Sequence, residues 1–78
     1  MKLDSALNAV LAELEHAQLK FPSFNSAHEG YAVLLEEVDE LWEEVKRRPS
    51  SDRDQRMKEE TIQIAAMALK FLLMFKDE

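Results

Sequence analysis

Apolar residues return every three or four positions along three stretches of the chain, and each stretch predicts an amphipathic helix. The first covers about residues 3–19, where Leu3, Leu7, Val10, Leu11, Leu14 and Gln18 share one line. The second covers about residues 27–47, with Tyr31, Leu34, Leu35, Val38, Trp42 and Val45 on a stripe expected to face a core. The third covers about residues 53–76. Pro22 separates the first two helices, because its ring and missing N–H disfavour helix continuation. Phe21 and Phe24 flank it, so this loop is expected to pack onto the domain. Ser26 and Glu29 have the spacing of a capping box, in which the hydroxyl takes the third N–H and the carboxylate reaches back. Residues 48–52 form a polar connection, with Ser51 or Asp52 expected to cap the third helix.

The third helix carries more apolar residues than one chain needs. After Glu60 come Ile62, Ile64, Ala65, Ala66, Met67, Ala68, Leu69, Phe71, Leu72, Leu73, Met74 and Phe75, pointing in almost every direction. A stripe about one third of the way round suffices for packing within a monomer. The surplus predicts a second surface covered by another subunit. The expected fold is therefore all-α, a three-helix chain that forms a four-helix-bundle-like core as a homodimer or homotetramer.

Composition sharpens this picture. One glycine and two prolines stand among abundant Ala, Leu, Glu and Lys, as helices prefer. The 78 residues make one domain, 1–78, and a chain this short buries only roughly 60–65% of its unfolded surface, so its core needs a supplement. No cysteine is present, which removes disulfides and thiolate metal sites and leaves oligomerisation or a metal with other ligands. A net charge of −6 without a basic stripe argues against DNA or RNA as partner. No apolar run is long enough to span a bilayer and no secretory signal is present, so a cytoplasmic protein is expected.

Candidate chemistry lies in the acids. Glu37, Glu40 and Glu44 form a line at i, i+3 and i+7 beside Val33 and Leu41, whereas Glu36, Asp39 and Glu43 fall where solvent is expected. On the third helix Glu60 projects into the stripe of Met57, Ile64, Met67, Phe71 and Phe75, with Gln63 at its edge. A carboxylate among core positions costs several kcal/mol unless it is paired or coordinated. Acids converging without enough cations suggest a divalent metal, and hard oxygen ligands suit Mg²⁺ or Mn²⁺. Glu37 with Glu40, and Glu60 with Gln63, are two one-turn pairs on adjacent helices. Together they could cage an ion that binds phosphate oxygens and activates a water.

At these residues the chain resembles the MazG-like all-α nucleoside triphosphate pyrophosphohydrolases. The family's E-E-x-x-E-L pattern reads Glu36-Glu37-Val38-Asp39-Glu40-Leu41 here, and its E-E-x-x-D pattern reads Glu59-Glu60-Thr61-Ile62-Gln63. The resemblance covers about residues 27–71. It implies a helical bundle assembled as dimers or tetramers, and Mg²⁺-dependent hydrolysis of a (d)NTP to the monophosphate and pyrophosphate. It also implies Glu37, Glu40 and Glu60 as metal ligands, with Glu37 and Glu40 as candidate catalytic residues and Glu36 and Glu59 as neighbours. Gln63 stands where the family has an aspartate. Its amide oxygen can coordinate Mg²⁺ but brings no charge, so a weakened metal site is expected. The alternative is a catalytically inactive helical oligomer acting as a nucleotide- or metal-binding module, or as a protein-interaction module.

Other conspicuous residues have plainer readings. Tyr31 and Trp42 are expected to pack, as are Met57, Met67 and Met74. His28 belongs to a first helical turn, and His16 carries no role. Arg53, Arg56 and Lys58 either meet phosphates or balance local acids.

Overall fold

The structure, a computed structural model, describes residues 1–77, and among these the chain is all-helical. Helix α1 spans Leu3–Lys20, α2 spans Ala27–Val45 and α3 spans Ser51–Leu72. Contacts along α2 and α3 fix their relative direction. Arg53 reaches the carbonyls of Val45 and Arg47, Arg56 lies near Glu44, and Gly30 lies against Phe71. The two helices are therefore antiparallel. Helix α1 runs the same way as α3: Ala6 and Val10 line one cavity with Met57 and Thr61, while Ala17 and Lys20 line another with Met67 and Lys70.

Both α1 and α2 pack on α3, and no Cα of α1 comes within 8 Å of one in α2. Helix α3 is thus the floor of a trough, and the other two helices are its walls. Phe24, Ala66 and Met67 are buried at the centre, with Val10, Leu14, Ala17, Val33, Leu34, Phe71 and Met74 packed around them. Phe24 folds in from the α1–α2 loop as expected, but Phe21 stays 71% exposed. Gly30, the chain's one glycine, lets α2 approach this cluster. A Cβ there would lie 2.7 Å from the Phe71 ring and 3.0 Å from the Phe24 ring.

The helix ends follow local chemistry. Ser26 accepts a hydrogen bond from the Glu29 N–H at 3.1 Å. The Glu29 carboxylate reaches one residue further back than the capping box predicts. It accepts from the Asn25 backbone N–H at 3.3 Å and from its side-chain amide at 3.0 Å. Helix α3 begins earlier than expected: Ser50, extended after Pro49, is the cap and accepts from the Arg53 N–H at 3.0 Å. The earlier start places Asp52 and Asp54 in the first turn, where the helix dipole favours acids. Helix α2 ends at Val45 rather than near residue 47: the Arg47 N–H turns to the Glu44 carbonyl in an i→i+3 bond, and Arg53 takes up the free carbonyls of Val45 and Arg47. Helix α3 ends at Leu72 rather than near residue 76. Its last ladder bonds tighten to i→i+3, from Met74 to Phe71 and from Phe75 to Leu72, where Leu73 is exposed and Phe75, also exposed, meets only the Phe71 ring at 5.9 Å among the aromatics.

The inward faces correct the expected ones. On α2, Val33, Leu34, Glu37, Leu41 and Glu44 are shielded, whereas Tyr31, Leu35, Val38, Trp42 and Val45 are exposed. On α1 the shielded line is Ala6, Ala9, Val10, Glu13, Leu14, Ala17 and Gln18, and Leu3, Leu7 and Leu11 face outward. The small alanines and Gly30 let these helices sit close to α3, so the bulkier stripes are turned away. Among the described residues no helix is long and apolar enough to cross a membrane.

Candidate metal centre

Helix periodicity puts Glu37 and Glu40 one turn apart on α2, on the side that meets α3. The antiparallel register brings Glu60 of α3 opposite them. One carboxylate oxygen from each of Glu37, Glu40 and Glu60 lies within 4.8 Å of the others. Glu37 and Glu60 are half-buried and Glu40 is exposed at the rim. The Oε2 atoms of Glu37 and Glu60 are buried and have no hydrogen-bond partner. Among the described residues no Lys, Arg or His nitrogen lies within ion-pair distance of any of the three.

Crowding of like charges has a direct electrostatic signature. The Glu37 carboxyl is pushed up to about 7, first by burial, then by the neighbouring charge of Glu40, and further by Glu60 and Glu13. Glu60 is also raised, again mainly by burial, with Glu40, Glu44 and Glu59 adding to it. Glu40 acts on both neighbours, as a like charge and as a hydrogen-bonding group that favours their protonated forms. Two states relieve such a cluster: a shared proton, or a cation among the oxygens. The donor set is all oxygen, converging and partly desolvated, and it fits a small divalent ion of the Mg²⁺ or Mn²⁺ kind.

The remaining residues singled out in the sequence are divided by the fold. Gln63 is half-buried and lines the trough with Glu13 and Glu37. Glu44, last of the acidic line on α2, also has a buried Oε2 without a hydrogen bond, but it has cations nearby: Arg47 Nε at 3.2 Å and Arg56 at 4.0 Å. Arg53 serves the fold, donating to the carbonyls of Val45 at 3.3 Å and Arg47 at 3.0 Å at the end of α2. Glu36 is exposed, and Glu59 is exposed with Gln55 bonded to it at 3.2 Å. His28 is exposed, Trp42 lies open beneath Lys46, and Lys58 is exposed.

Two residues without a role in the sequence reading stand out in the structure. Glu13 of α1 contributes to the raised Glu37 and lines the trough. Its position on the alanine line of α1 was the available signal: a carboxylate among Ala6, Ala9 and Ala17 faces inward. Lys70 is buried on the floor of the same trough. It lies on the line of Glu60, Gln63 and Met67 at helical spacing, which marks it as more than an interruption of an apolar run. Compared with known proteins, the chain matches no family model, no curated protein and no solved structure.

Proposed function

We propose that the chain is a Mg²⁺-dependent nucleotide pyrophosphohydrolase of the MazG-like all-α kind, converting a (d)NTP and water to the monophosphate and pyrophosphate in the cytoplasm. The observation that carries this reading is the convergence of Glu37, Glu40 and Glu60 from two helices without a cation among them. A divalent ion, when bound there, would offset phosphate charge and lower the pKa of an attacking water. The chain's own contribution is placement. Glu37 and Glu40 are set by one rigid helix and Glu60 by its neighbour, so the carboxylates are already gathered before a ligand arrives. The trough beside them, about 670 Å³, has room for a small ligand.

The same reading includes self-association. The chain exposes 6150 Å², against roughly 4900 Å² for a typical folded monomer of its mass. Much of the open apolar surface is a seam on α2, where Tyr31, Leu35, Val38, Trp42 and Val45 follow alternating steps of four and three residues. That is the spacing of a helix packing along another helix. A second copy laid on this seam would complete a four-helix-type core, as a homodimer or, with a further face, a homotetramer. Trp42→Glu is expected to shift the protein to monomers in sedimentation; a wild type that is already monomeric at high concentration counts against the assembly.

The decisive experiment incubates the purified protein with a (d)NTP panel and Mg²⁺ or Mn²⁺ and measures pyrophosphate. Release that disappears in Glu37→Gln supports the enzyme reading. No release at any metal concentration removes it. Gln63 favours a second reading, because an amide brings no charge to the ion: an inactive oligomer that binds metal and nucleotide without turnover. Gln63→Asp separates the two, with metal affinity expected to rise about tenfold and turnover to rise with it if the scaffold is competent.

A further inference from the structure

Lys70 is only 5% exposed, and its ammonium has no carboxylate within 4.0 Å among the described residues. Its Nζ lies 4.4 Å from the centre of the Phe24 ring and 6.0 Å from that of Phe21. The two aromatic faces hold the ammonium in place, and with no carboxylate paired to it among the described residues its charge is open to an anion. The side chain lines the trough of about 670 Å³ that also contains Gln63 and Glu37. Lys70 follows Glu60 by ten residues, which is about 15 Å along the helix. Its ammonium stands against the aromatic rings of the α1–α2 loop, at the end of the trough away from the carboxylates. The trough therefore runs from carboxylates without a paired cation to a lysine without a paired carboxylate, with Lys20 and Glu29 also on its lining near the loop.

We propose that Lys70 holds the terminal phosphate of a polyphosphate ligand whose other phosphates meet the cation of Glu37, Glu40 and Glu60. The assignment rests on the nucleotide reading and deepens it: the trough orients the phosphate chain along α3, away from the carboxylates and toward the α1–α2 loop. Lys70 forms a charge-assisted hydrogen bond to the ligand and takes no part in the metal site.

The test reads binding, not turnover. The full chain, labelled with ¹⁵N- and ¹³C-lysine, is titrated with equimolar Mg²⁺ and inorganic tripolyphosphate, and the Lys70 side-chain signal is identified by its loss in Lys70→Met. The Lys70 signal is expected to shift on saturation while those of Lys2, Lys58 and Lys76 stay in place. Lys70→Met, similar in length and uncharged, is expected to weaken tripolyphosphate binding at least about tenfold, and Lys70→Arg to recover part of it. A Lys70 signal that does not respond to tripolyphosphate overturns the proposal, as does one that responds equally to a nucleoside without phosphate. The wild-type titration decides this even if Lys70→Met fails to fold. A shifting Lys70 in a protein that releases no pyrophosphate keeps the anion site and removes the enzyme; an active protein with an unmoved Lys70 does the reverse.

Discussion

The interface between α2 and α3 handles its buried acids in two ways. Near the C-terminus of α2, Glu44 has a side chain only 14% exposed but lies between Arg47 and Arg56, and Arg53 ties off the helix carbonyls beside it. Further along the interface, Glu37, Glu40 and Glu60 converge with no cation within ion-pair distance among the described residues. The same acidic line on the same helix thus passes from a compensated region to an uncompensated one. Structural acids are given their partners by the chain itself. The acids that lack them leave a place for a partner from solution.

Substitutions separate the two regions. The largest expected effect is at Glu60. With Mg²⁺ at about a hundred times its dissociation constant, the wild type gains about 2.7 kcal/mol, a Tm rise on the order of 10 °C for a domain of this size. Glu60→Gln is expected to lose that gain while matching or exceeding the metal-free wild type, because it removes a repelled charge. Thermal melts with and without Mg²⁺ check both halves, and a variant that keeps the full metal response breaks the contrast.

Acidity gives the next effect. Glu37 titrates at about 7 in the fold against an ordinary value of 4.5, so the folded chain binds more protons than the unfolded chain between these values. Metal-free stability should therefore fall as pH rises from about 4.5 to about 7, the opposite of a salt-bridged carboxylate. The groups that face Glu37 are acids from all three helices: Glu13, Glu40 and Glu60. Raised Glu60 works in the same direction. Added Mg²⁺ should oppose the decline and matter most above pH 7. Denaturant midpoints across pH measure it; stability that climbs through this window would contradict the electrostatics described.

The smallest effect belongs to the compensated region. Glu44→Gln removes ion pairs whose arginines are more than half exposed or half exposed, so a loss of about 0.2–1 kcal/mol is expected. Its metal response should equal that of the wild type. A Glu44 variant blind to Mg²⁺ would merge the two regions into one site.

Which parts were legible in the sequence follows from what each residue needs in order to be placed. Pro22, Ser26 and Pro49 act locally, and the three helices could be read from them and from periodicity. Glu60 was legible because a carboxylate inside an apolar stripe conflicts with its own helix. The α2 stripe from Tyr31 to Val45 misled, because periodicity marks an apolar face without saying whether the same chain covers it. Here Gly30 and the alanines of α1 decide the matter by allowing close approach on other faces. Glu13 and Lys70 depended on where α1 and the Phe24 loop settle over α3, which no single helix pattern contains.

Paramagnetic Mn²⁺ tests the central claim most directly. Substoichiometric Mn²⁺ added to ¹³C-glutamate-labelled protein should broaden the side-chain carboxyl signals of Glu37, Glu40 and Glu60 first and most, with those of Glu44, Glu36 and Glu43 following only at higher Mn²⁺. Uniform broadening of all the glutamates, or selective broadening at Glu44, would contradict an ion held between α2 and α3 by these three residues.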